Sequence, residues 1–216
     1  MSIHRRAMTA TALAAAALLT FAGCASQDEG QVRPGVAATV GETEFSIAEV
    51  DERAPDLCDY AVATGEVQEA IPMGSLRISY LQLLIDEELA RAYVAEQGRQ
   101  SDPTLRQMLA ANEENARQSL EQVPPAAREV YLELVERTGY IGTVQQLGGA
   151  EYAEWAEEQE VVVDPRFMAV QIPGSIQAAD LSVAVSTPAL LRNDNQDPEK
   201  FHAYLDSLPD SQKCSA

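Results

Sequence analysis

A mainly α-helical domain, closed by a small strand pairing between its two ends, is the fold class this sequence predicts. Three observations lead there. Near the end of an otherwise helical chain stands VVVDPRFM, residues 161–168, in which three valines favour strand and Pro165 ends it. A lone strand cannot satisfy its own backbone groups, so Val161, Val162 and Val163 need a partner elsewhere. The one early stretch with β character is AATVGETEF, residues 37–45, which alternates weakly and breaks at Gly41-Glu42 in a turn or bulge. Residues 37–40 or 43–45 therefore meet 161–163, and everything between them is a helical excursion.

The elements follow in chain order. Arg5 and Arg6 precede an uncharged run over residues 7–22 and then Gly23-Cys24, a run suited to a signal h-region and too short to span a bilayer. FAGC, residues 21–24, resembles a bacterial lipobox with Phe21 where Leu is usual. The resemblance implies a lipoprotein signal peptide over residues 1–23, acylation of Cys24 with palmitate-type chains, and an exported protein anchored on the extracytoplasmic face of the cell membrane. Residues 24–36 are small, polar and turn-rich, and read as a flexible tether.

Ser46, with Glu49 three residues on, forms a capping-box pattern that opens IAEVDERAPDLCDYAVAT, expected to be interrupted or ended near Pro55. A second helix is expected from about Ser75 to Gln97, closing at Gly98. It carries Leu81, Leu84, Ile85, Leu89, Ala92 and Ala95 on one side and Leu76, Tyr80, Leu83 and Val94 on the other, so it should lie between two layers. Asp102-Pro103 supplies an N-cap and first turn for a third helix with the stripe Leu105, Met108, Leu109, Ala116 and Leu120. Pro124-Pro125 breaks it. A fourth helix carries Ala127, Val130, Leu134, Ile141 and Val144, weakened at Gly139 and Gly142, and a short fifth brings Tyr152, Trp155 and Ala156 together. No internal repeat is present.

Composition and chemistry narrow the function classes. With 216 residues, 46% of them apolar, the chain suffices for one packed domain and a tail. Its 34 Asp+Glu against 15 Lys+Arg, a net charge of -19, exclude nucleic acid as an expected partner. The two histidines are His4, inside the signal, and His202, read as a surface residue in a short terminal helix capped by Asp197. No nucleophile elbow accompanies His202, and no phosphate-cradling loop or metal-spaced Cys/His cluster appears. Asn193, Asn195 and Asp197 alternate like calcium-loop ligands, but Pro198 sits where Gly is required and Tyr204 replaces the closing Glu, so they read as a polar loop and helix cap. Glu87-Glu88 and Glu157-Glu158 diverge on a helix and read as solvated, except that Glu88 projects into the Leu81 stripe, to pair with Arg77 or bind a client's basic group. No enzyme activity, cofactor, metal or small-molecule substrate is expected. Cys58 and Cys214 remain as an even pair in an exported chain, for which a disulfide is the simplest use and two buried free thiols the alternative.

LLIDEELARAYVAEQG, residues 83–98, is similar to the helix of the SurA/PrsA-like periplasmic chaperone N-terminal domain, with Leu84, Ile85, Leu89 and Gly98 on its pattern and Val94 in place of the usual Ala. TVGETEFSIAEVD, residues 39–51, resembles the family's opening strands and capped helix, and VVVDPRF its closing strand in actinobacterial lipoproteins, with Met168 where Gly is usual. The resemblance covers residues 37–168 and leaves 169–216 as a C-terminal extension. It implies a helical chaperone domain that holds unfolded or nascent exported polypeptides in an apolar groove, with Leu81, Leu84, Ile85, Glu88, Leu89 and Trp155 as groove or core candidates. An inserted parvulin isomerase domain would need about a hundred residues, and residues 148–161 leave no such room. The alternative is a non-catalytic scaffold for one specific cell-envelope partner.

Overall fold

The computed structural model describes residues 33–167, 170–171 and 198–216. Among them the order is β1 (Val36–Val40), β2 (Thr43–Ser46), α1 (Ile47–Thr64), β3 (Ile71–Pro72), α2 (Met73–Glu96), α3 (Pro103–Ser119), α4 (Arg128–Glu157), β4 (Val161–Val163), α5 (Pro198–Ser207) and β5 (Lys213–Cys214). The domain is mainly helical, with small antiparallel sheets. Cys24, tether residues 25–32, Met168, and the Asn193, Asn195 and Asp197 pattern lie outside the described residues. Residues 33–36 of the expected tether are described, and the last of them, Val36, is a buried part of β1.

The valines find their partner in β1. Ala38 faces Val163, Thr39 faces Val162 and Val40 faces Val161, all antiparallel, while β2 covers the other edge of β1. Gly41, at φ 56°, makes the reversal between β1 and β2. Alternation along the strands sends Ala38, Val40, Val161 and Val163 into one core with Phe45, Val50 and Phe167.

Ser46 caps α1 by accepting from the Glu49 N–H at 3.0 Å, and Gly65 ends it in the left-handed region at φ 75°. Pro55 does not interrupt it, contrary to the sequence expectation: α1 runs unbroken to Thr64. The Asp51 carbonyl loses a helical donor there, but Asp51 and Pro55 are exposed, where water substitutes. Ala54, Leu57 and Ala61 are buried on the opposite side and hold both halves in one line.

α2 is the central element, packed against α1, α4 and β1. It serves two cores, as expected of a helix between layers, but they divide along its length and not by the two expected sides. Tyr80, Leu81, Leu84, Ile85 and Leu89 join the core under the sheet, Ala90, Tyr93 and Val94 join a second core with Leu105, Ile141, Val144 and Tyr152, and Ala95 is exposed. The expected fourth and fifth helices are the two segments of α4, which meet at a kink. Gly139 and Gly142 stay helical, and the break falls instead at Gly149, with φ 54° and ψ -131°. A third, smaller core lies where β3 pairs with β5, placing Ile71 opposite Cys214 beside Ala54, Ala61 and Met73. There the sulfurs of Cys58 and Cys214 stand at bonding distance, 2.12 Å, with their Cα atoms 5.5 Å apart.

Candidate functional site

The groove candidates named from the sequence fall into the interior. Leu81 and Ile85 are fully buried and Leu84 and Leu89 nearly so, because β1 covers one side of α2 and α1 and α4 cover the rest. Trp155 is half-buried. Its ring leans on Tyr93 at 5.4 Å, and its Nε1 donates to Glu96 Oε2 at 2.9 Å. Glu88 accepts from the Thr43 hydroxyl at 2.8 Å and so ties α2 to β2, whereas Arg77 pairs with Asp51 at 2.6 Å. These residues are structural, and they do not line a common surface.

Glu87, read as solvated, is the buried carboxylate of the pair. It accepts from Arg91, one turn on, and from Arg137 of α4. Arg137 also reaches Glu133 at 3.2 Å, and Glu133 bonds Arg53 of α1 and the Tyr80 hydroxyl. Burial, then the Glu133 charge, pushes the Tyr80 hydroxyl up to about 12, so it stays a neutral donor. This alternating chain of charges joins α1, α2 and α4. Its signals in the sequence were the i, i+4 spacings of Glu87/Arg91 and Glu133/Arg137.

The concave apolar surface lies between α3 and α4. Asp102 starts α3 by accepting from the Thr104 N–H at 2.8 Å, and the Pro124-Pro125 turn sends the chain back as α4. Midway the two helices are clasped. The Asn112 amide donates to the Gly139 carbonyl at 3.2 Å and to the Thr143 hydroxyl at 3.0 Å, and that hydroxyl donates to the same carbonyl at 2.7 Å. Gly139 permits the approach, since a Cβ there would sit 3.3 Å from the Asn112 amide nitrogen.

On one side of the clasp opens a cleft of about 820 Å³, floored by Leu109, Ala116, Leu120, Val135 and Tyr140. Leu132, the large apolar side chain most open to solvent among the described residues at 39%, stands at its edge. The Arg91 guanidinium lies 4.9 Å over the Tyr140 ring. Burial raises the Tyr140 pKa against the opposing Arg91 charge, so the ring that Arg91 covers is uncharged. The other side of the clasp holds a shallower hollow of about 490 Å³ with more polar walls, including Asn115, Ser119 and Gln146. The larger cleft falls within the volume range of ligand-binding pockets and joins an apolar floor to charged walls.

Among the described residues no group of His, Cys, Asp or Glu converges as metal ligands would, and no helix is long and apolar enough to cross a membrane. His202 is exposed on α5. Compared with protein-family models, curated proteins and solved structures, the chain shows no match.

Proposed function

We propose that this is a non-catalytic, chaperone-like holding protein of the SurA/PrsA-like kind, exported, anchored through Cys24, and seating apolar segments of unfolded or nascent exported proteins in the α3–α4 cleft. The observation that carries the reading is the cleft itself: about 820 Å³ of mainly apolar concavity beside an exposed leucine. The site differs from the one the sequence suggested, since the Leu81 side of α2 is spent on the core. Burying a few hundred Å² of apolar surface gives roughly 8 to 15 kcal/mol gross at about 25 cal/mol/Å². Association and ordering remove most of that, leaving micromolar-class binding suited to hold and release.

The test is light scattering of a chemically denatured secreted protein diluted with and without the protein, run beside a prolyl-isomerisation assay. Suppressed scattering without an isomerase rate is expected, and no suppression at several-fold excess would reject the reading. Anchoring is read in the same preparation, with acyl label and membrane retention both lost in Cys24→Ser. Partners crosslinked in intact envelopes should be many and unrelated. One repeated partner would favour the scaffold instead.

A further inference from the structure

At the α3–α4 cleft, charge runs against the trend of the chain. Acid outnumbers base by 34 to 15 over the whole sequence. The cleft wall instead carries Arg91, Arg106 and Arg117 against Glu113 and Glu136. Arg117 is engaged by Glu113 and Glu114 on its own helix. Arg91 shares the single carboxylate of Glu87 with Arg137. Arg106 donates to the Ser101 carbonyl at 3.2 Å and makes no ion pair among the described residues.

We infer that the segments this cleft takes are apolar stretches flanked by carboxylates, with Leu109, Leu132 and Val135 against their apolar side and Arg106 and Arg91 against their acidic edge. The inference rests on the holding function proposed above and names its client class. A guanidinium beside an apolar floor is weakly hydrated, and its planar donors match a carboxylate in pairs. At physiological salt the screening length is about 8 Å, so acids remote from the cleft are screened there and the balance on its own wall, three arginines to two glutamates, decides. A basic segment would instead be attracted to the acidic surface at large, without preference for the cleft.

The test uses three labelled peptides sharing one apolar core and flanked by Glu, by Gln or by Lys, titrated by fluorescence anisotropy at physiological salt. The Glu-flanked peptide should bind about tenfold more tightly than the Gln-flanked one. Arg106→Glu, at an exposed position, should erase that ratio while leaving the Gln-flanked peptide unchanged. Ala110→Trp fills the cleft from another exposed position, and Leu132→Ser thins its edge; both should weaken the two peptides together. Binding of the Lys-flanked peptide should survive Ala110→Trp and vanish with added salt. Equal affinity for Glu and Gln flanks, with both lost in Ala110→Trp, would overturn the acidic preference and leave the holding function standing. Failure of both the Glu- and the Gln-flanked peptide to bind, or undiminished binding of both to Ala110→Trp, would overturn both.

Discussion

Two adjacent glycines show how much single positions decide. Gly149 has φ 54° and ψ -131°, a combination open in practice only to glycine, and a Cβ at Gly148 would come within 2.5 Å of the Tyr152 Cβ. Together they turn the end of α4 so that Tyr152 meets Tyr93 edge-on at 5.2 Å. The doublet Gly148-Gly149 was visible in the sequence, but so were Gly139 and Gly142, and nothing local distinguishes a glycine that bends a helix from one that admits a neighbour. Asp86 gives a pH signature. Burial raises its pKa above 3.8, opposed by a hydrogen bond from Gln82. A folded-state pKa raised above the unfolded one means that the ionised carboxylate costs stability above the folded value, and that the cost disappears below 3.8. Asp86→Asn keeps the Gln82 bond and removes the charge. It should raise the melting midpoint at neutral pH, with the gain gone near pH 3 (a pH-resolved thermal melt reads both). A lowered midpoint at neutral pH would show that the carboxylate is needed.

Among the elements, β5 depends most on one covalent contact. It is a two-residue strand paired with β3, and Cys214 is fully buried beneath that pairing. Two ladder positions cannot hold a chain end against its entropy. The loop closed between Cys58 and Cys214 spans 156 residues. In the chain-entropy model such a closure contributes roughly 5 kcal/mol, and native bridges commonly contribute 2 to 5. The double replacement Cys58→Ala, Cys214→Ala should therefore lower stability by about 2 to 5 kcal/mol and free β5 for proteolysis. Stability unchanged to within 1 kcal/mol, with β5 still protected, would mean that the third core holds the strand unaided. The cysteine pairing was legible because, with Cys24 expected to carry lipid, Cys58 and Cys214 remained as an even pair; β3 was not, since Ile71-Pro72 has no strand pattern. The strand search succeeded for a related reason, three β-branched residues standing alone in a helical chain. The α3–α4 cleft stayed hidden because its floor draws on two helices whose separate stripes both read as ordinary core.

For the whole molecule, the central fact is that β1 is the middle strand and its two partners come from opposite ends of the domain. Cutting the chain after residue 160 would strip Val161, Val163, Phe167 and Val170 from the main core and leave one edge of β1 bare. Such a truncation should lose its cooperative melt and aggregate; a cooperative transition within a few degrees of the intact protein would show that the helices stand without the sheet. The same connectivity sets an order in time. A chain emerging N-terminus first presents β1, then β2 and α1, long before residue 161 arrives to cover the open edge, and Cys58 waits longer still for Cys214. Local helices can form during emergence, but sheet closure comes late and the last bond later. Until then the nascent protein is itself an unfolded chain with an exposed edge and an unpaired thiol, the kind of molecule its finished form is proposed to hold.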